Sequence, residues 1–255
     1  MRKLSLLVCS LMLLSLAACG GSSNDIPTLP DGGDASAGNA SVATVASITG
    51  KISFEGEVPK PVKRPTASDP NCTKEVFTED TKVKEGGLEN VFVYVSGGLE
   101  GKSYPVPSTP VTIEQKDCHY IPHAFVLQMN QELQIKNSDM TLHNIHAMVE
   151  KNANFNTGQP IPMTTSHKFD KEEILLFVKC DVHSWMGAYI AIVSNPFATV
   201  STEGGKYELK LPAGKFEITA IHEKYGKQKT MVEVKDGDHT PIDFKFKASD
   251  AKSGN

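Results

Sequence analysis

An all-β fold is what this sequence predicts, and three observations carry the prediction. Apolar and polar residues alternate over short runs rich in Val, Ile, Phe, Tyr and Thr. Clusters of Gly, Pro and Asn separate these runs at intervals typical of a sandwich or a Greek-key barrel. No long window carries apolar residues at helical spacing.

The runs follow one another in order. Ile48-Thr49-Gly50-Lys51-Ile52-Ser53-Phe54 alternates and is broken at Gly56 and at Pro59-Lys60-Pro61. Residues 60–88 are polar and irregular, and they contain Cys72. Val91-Phe92-Val93-Tyr94-Val95 is a β-branched and aromatic run that stops at Gly97-Gly98. After a break from Pro105 to Pro110, three strands are expected at Val111–Glu114, Ala124–Leu127 and Leu133–Lys136, the last two joined by a turn at Asn130-Gln131. Phe177–Val193 opens as a strand, passes through Cys180, His183 and Met186, and closes as a strand. Beyond the break at Asn195-Pro196, alternation returns at Lys206–Leu211, Lys215–Ile221, Met231–Val234 and Ile242–Phe246.

The two ends of the chain read differently. Residues 1–19 have a basic start at Arg2 and Lys3, an apolar stretch from Leu4 to Leu16, and the ending Leu16-Ala17-Ala18-Cys19. That is the pattern of a secretory signal, too short to span a bilayer as a helix. Its ending resembles a bacterial lipobox, which implies lipid on Cys19. Residues 20–46 are mostly Gly, Ser, Ala, Asn and Asp and lack the apolar content to bury a core, so a flexible tether with a reach of roughly 30 Å is expected. Gly20 at the second mature position implies sorting to the periplasmic side of the outer membrane in a Gram-negative cell envelope. Without Arg2 and Lys3, 24 of the 26 basic residues remain against 30 acidic ones, a formal −6 that argues against nucleic acid and against an anionic membrane surface as partners.

Cysteine, histidine and methionine are the soft and borderline ligands that copper favours, and two imidazoles with one thiolate and a weak thioether form the blue-copper set. A lone strand histidine is more often surface or core than ligand, and a lone cysteine is more often a small buried hydrophobe. Here Cys180, His183 and Met186 recur at intervals of three in one loop, and His143-Asn144-Ile145-His146 lies upstream. H-N-I-H followed by C-x-x-H-x-x-M resembles the cupredoxins, with the short loop most similar to amicyanin. The resemblance implies a Greek-key barrel or sandwich holding one mononuclear type 1 copper through His143, Cys180, His183 and Met186. It also implies that Asn144 ties the two ligand-bearing segments together and that His183 lies at the exposed edge where electrons pass. The family often has Pro-Phe where this chain has Ser184-Trp185, and Trp185 is expected to shield the site from water.

The remaining cysteines and histidines are read more plainly. Cys9 leaves with the signal, so Cys72 and Cys118 are expected to pair in an oxidising compartment. In an extended strand His146 faces away from His143 and is taken as a non-ligand. His119 and His123 have the composition of a second metal site but no complete set around them, and are expected as surface imidazoles beside the disulfide. His167, His222 and His239 read as surface or sandwich residues, and Met129, Met140, Met148 and Met163 as core or loop residues.

The segment Glu203–Gly226, E-G-G-K-Y-E-L-K-L-P-A-G-K-F-E-I-T-A-I-H-E-K-Y-G, resembles the carboxypeptidase-regulatory-like, or transthyretin-like, sandwich. That family opens with a strand like Ile48–Phe54, far upstream here. The resemblance implies a sandwich of 47–103 plus 196–248 with a cupredoxin domain of 104–195 inserted; one extended cupredoxin followed by a small β-module is the simpler alternative. The expected function is single-electron transfer between redox proteins by a lipid-anchored, non-enzymatic blue-copper protein. Copper storage or delivery, and a structural envelope module with a vestigial site, are the competing expectations.

Overall fold

The computed structural model describes residues 46–251. The signal at 1–19, the lipidation site Cys19 and the tether up to residue 45 lie outside the described residues; Ala46, expected to end the tether, is the first residue of a strand.

The chain is all-β. Its first strands are β1 (Ala46–Glu55), β2 (Val83–Lys84), β3 (Gly87–Leu88), β4 (Phe92–Gly97), β5 (Val111–Lys116), β6 (His119–Ile121) and β7 (Ala124–Gln128). There follow β8 (Leu133–Asn137), β9 (His143–Met148), β10 (Phe155–Gln159), β11 (Met163–His167), β12 (Glu173–Lys179) and β13 (Gly187–Val193). The last are β14 (Ala198–Val200), β15 (Lys206–Leu211), β16 (Gly214–His222), β17 (Gly226–Val234), β18 (His239–Pro241) and β19 (Phe244–Lys247). Three short 3-10 turns are the helical elements among the described residues.

Four sheets result. One orders its strands β10-β9-β12-β13-β7 and a second β11-β8-β5-β6. Between them lies a core of Ile113, Tyr120, Leu127, Leu133, Ile135, Ile145, Val178 and Ile190, with Cys180 and Met186 at its edge. The third sheet runs β15-β1-β3-β2, with β18 and β19 also paired to β1, and the fourth runs β14-β4-β16-β17. Ile48, Ile52, Leu88, Val93, Leu209, Phe216, Ile218 and Phe246 fill the space between these two. Among the described residues every ladder stays within one group: strands up to β4 pair with each other or with strands from β14 onward, and β5 to β13 pair among themselves. A smaller core of Phe92, Ala124 and Ala191 joins the groups, because β4, β7 and β13 present small or flat apolar side chains to one another.

The expected strands all form, and several unexpected ones join them. β10 and β11 are polar edge strands, pairing with β9 and β8 respectively. Edge strands bury little, so they need no apolar alternation and leave no mark in the sequence.

His222, at the end of β16, is fully buried; its Nδ1 accepts the Lys224 N–H at 3.1 Å. Burial lowers its pKa to about 4, with Glu223 opposing and His123 reinforcing the shift. The folded value lies below the unfolded one of 6.5, so the unfolded chain takes up a proton first as the pH falls. This contribution is complete above pH 6.5 and is lost between there and about pH 4. Lowering the pH from 7 to 5 should therefore remove about 2 kcal/mol that a His222→Phe variant does not lose. Denaturant midpoints of both proteins at the two pH values measure the difference, and parallel pH dependence would rule it out.

Candidate metal centre

The central loop is built by its flanking strands. β12 and β13 pair antiparallel down to Lys179 opposite Gly187, which leaves Cys180–Met186 as a closed loop. Three contacts fold it on itself: Cys180 N–H donates to the Met186 carbonyl at 3.2 Å, Met186 N–H to the His183 carbonyl at 2.9 Å, and His183 N–H to Cys180 Sγ at 3.4 Å. Gly187 is required at the exit, since a Cβ there would stand 2.7 Å from the Phe177 ring. β9 lies beside β12, with His146 opposite Lys179, so its first residue, His143, arrives next to the loop.

His143, Cys180 and His183 are buried and bring one donor atom each within 4.8 Å of one another. His143 Nδ1 and His183 Nδ1 are 3.0 Å apart, and Cys180 Sγ is 3.9 Å from His183 Nδ1. Met186 is buried in the same core at the loop's end.

The outer nitrogens explain this orientation. His143 Nε2 lies 2.9 Å from Asp139 Oδ2, and His183 Nε2 lies 3.0 Å from Asp69 Oδ2. Donating Nε2–H to a carboxylate leaves the Nδ1 lone pair directed inward, as in carboxylate–histidine–metal triads. Two such lone pairs facing each other across 3.0 Å, beside a sulfur, repel unless a proton or a cation lies between them. The donor set thus fits a soft or borderline cation, with the two-imidazole, one-thiolate composition that suits copper. Burial holds the His143 pKa below the ordinary value against the opposing pull of Asp139, which favours the neutral, ligating form. The Thr141 hydroxyl and the Asn71 N–H hold the Asp69 carboxyl down to about 2, so it is available as the acceptor.

Asn144 occupies the tying position: its Oδ1 accepts the Asp181 N–H at 2.7 Å and its Nδ2 donates to Asp181 Oδ2 at 3.0 Å. Cys72 and Cys118 form a disulfide. Trp185 donates from Nε1 to the Cys118 carbonyl at 3.0 Å, and its ring lies 5.0 Å from that of His183.

Two expectations are corrected. His183 is not at an exposed edge: it is only 2% accessible. The irregular stretch around residues 62–78 folds over it, held by the disulfide and by Asp69, and places Cys72 Sγ 3.8 Å from its Nε2. His123 is not a surface imidazole either. It is largely buried, with Nε2 2.6 Å from Glu223 Oε1, and it bridges the two strand groups. His119 lines a cavity of about 220 Å³ next to Trp185 and Met186. His146 pairs with Asp181 at 3.0 Å and stays out of the donor set, while Met140, Met148 and Met163 are exposed. Asp69 and Asp139 are the site residues that sequence reasoning passed over. Asp139 stands four residues before His143 and Asp69 three before Cys72, a proximity that was the available signal.

No family model matches the chain, and no curated protein matches it. Among solved structures it is similar to a copper-containing nitrite reductase from Thermus scotoductus, at 17% identity and a TM-score of 0.32. That match covers 37% of this chain and only 24% of the reductase, so the chain spans about a quarter of it. A purple cupredoxin from Nitrosopumilus maritimus matches at 17% identity and a TM-score of 0.28, covering 32% of this chain and 98% of the other. Amicyanin from Paracoccus versutus matches at 13% identity and a TM-score of 0.30, covering 39% and 96%. Likenesses this weak leave the chemistry to be argued from the chain's own residues.

Proposed function

We propose that this chain is a blue-copper protein that carries single electrons between redox proteins at the cell envelope, anchored through lipid on Cys19 and without enzymatic activity of its own. The observation that carries the reading is the buried convergence of His143 Nδ1, His183 Nδ1 and Cys180 Sγ, with both outer nitrogens fixed by carboxylates. His143, Cys180 and His183 would hold the metal, with Met186 as the fourth, weaker donor. Copper bound there supplies reversible one-electron chemistry between its two oxidation states.

The chain's own contribution is rigidity and dryness. Asp139 and Asp69 keep the imidazoles in one tautomer and one orientation. Asn144 locks β9 to the ligand loop, so neither segment has to reorganise when the charge at the centre changes. Trp185 and the stretch around Asp69 and Cys72 exclude water from His183. That cover favours retention of the metal and supports electron transfer over copper delivery, which needs an accessible, exchangeable ion.

The absorption spectrum of the copper-loaded mature protein tests the reading. An intense visible thiolate-to-copper band that bleaches and returns through reduction and reoxidation is expected. A colourless protein that surrenders its copper quickly to a chelator would refute it.

A further inference from the structure

All four donor residues are closed off from solvent: His143 is 0%, Cys180 and Met186 are 1% and His183 is 2% accessible. A partner therefore meets no ligand directly, and charge has to cross the groups that cover them. Among the described residues two aromatic rings lie against that of His183. One is His143, itself sealed; the other is Trp185, half-buried, with ring centroids 5.0 Å apart. Trp185 is also tied to the second imidazole. Its Nε1–H donates to the Cys118 carbonyl at 3.0 Å, the Cys118 N–H donates to Asp139 Oδ2 at 2.9 Å, and that oxygen lies 2.9 Å from His143 Nε2. Trp185 lines, with Phe77, His119, Phe177, Ser184 and Met186, the cavity of about 220 Å³, and Phe77 and Ser184 open it to solvent. Asp69 and Asp139 also reach the rim, but a carboxylate has no extended π system, whereas an indole spreads charge between the cavity wall and His183.

We propose, resting on the blue-copper reading above, that Trp185 is the residue through which the electron enters and leaves, so that a redox partner brings the edge of its own redox group to this cavity and not to a histidine ligand. One electron crosses per encounter; no bond forms or breaks and no proton moves. The cavity is smaller than the roughly 300–1,000 Å³ of pockets that enclose a small molecule, which suits contact with a projecting side chain or a ring edge. Trp185 thus has two tasks: it keeps water from His183 and it carries charge past the cover that seals the ligands.

Two measurements test this. Trp185 is the single tryptophan of the chain, so its fluorescence in the metal-free protein reports the cavity alone. Acrylamide should quench it, and Ser184→Gln, which narrows the mouth, should lower the quenching constant. In the copper-loaded protein, NMR line broadening gives the electron self-exchange rate between reduced and oxidised copies, a rate into which no shift of reduction potential enters. Trp185→Leu should keep the visible band and slow this exchange by about tenfold, equivalent to about 1.4 kcal/mol on the barrier. Trp185→Phe, which retains a ring, should recover most of the rate. Leu142→Gln, at an exposed residue beside His143, should leave it unchanged. The proposal is overturned if Trp185→Leu stays blue and exchanges as fast as the parent, if Leu142→Gln alone slows exchange, or if acrylamide fails to quench the indole. Should Trp185→Leu lose its copper, Ser184→Gln decides: exchange as fast as the parent's despite reduced quenching overturns the proposal. A parent without a visible band overturns the copper reading and this port together, whereas a blue parent with an unaffected Trp185→Leu overturns the port alone.

Discussion

Cys180→Ser should abolish the visible absorption of the copper-loaded protein while leaving the fold intact. The colour expected of this site arises from charge transfer out of a thiolate, and a serine hydroxyl neither ionises near neutral pH nor binds soft metals well. Affinity for copper should fall by more than the roughly 10–100-fold that losing an outer partner of a ligand typically costs. The fold should survive because Cys180 lies just past the β12–β13 ladder, and a serine oxygen can still accept the His183 N–H that Cys180 Sγ accepts at 3.4 Å. Far-ultraviolet dichroism with metal analysis separates these outcomes. Asp69→Asn is the informative companion, since it removes a carboxylate from His183 Nε2 but no ligand. It should keep the colour and weaken binding by about 10–100-fold. A Cys180→Ser protein that still shows the band would transfer the thiolate role elsewhere and dismantle the site as described.

The donor set was legible because its members sit at short, regular spacing inside a strand–loop–strand pattern. Cys180, His183 and Met186 are positioned by a loop whose two ends are a single ladder, so local sequence and local geometry coincide. Asn144 was legible for the same reason, adjacent to a ligand and one strand away from Asp181. What covers the site was not legible. Asp69 meets His183 across 114 positions of sequence, from a segment without apolar periodicity that the disulfide also ties down at Cys72. The exposed position expected for His183 failed for this reason: the sequence marked 60–88 as irregular but held no cue to where that stretch packs. In the same way, β10 and β11 gave no pattern because edge strands obtain their order from neighbours rather than from burial. The alternating runs of β1, β15 and β16 were readable because each has one face in the core.

Removing the disulfide with Cys72→Ala/Cys118→Ala should cost about 4 kcal/mol in the metal-free protein, judged from loop-closure entropy for a 46-residue separation. The loop it closes contains β2 to β5, which belong to both strand groups, so the constraint acts on the whole described body and not on the cover alone. Two kinds of contact still hold the cover when the bond is gone. Asp69 keeps its bonds to Thr141 at 2.6 Å and His183 at 3.0 Å, and backbone pairs join Arg64 to Val76 and Thr78 to Val62. These lie nearer the surface than the disulfide and together amount to a few net hydrogen bonds, each worth about 1 kcal/mol. The cover should therefore open in the variant well below global unfolding, exposing the His183 ring that is 2% accessible in the intact protein. Denaturant melting gives the global loss, and hydrogen exchange across 62–78 gives the local one. A midpoint shift equivalent to less than about 1 kcal/mol, on the scale of one net hydrogen bond, would mean that the bond constrains little of the unfolded chain. Unchanged exchange in 62–78 would mean that Asp69 and the backbone pairs hold the cover on their own.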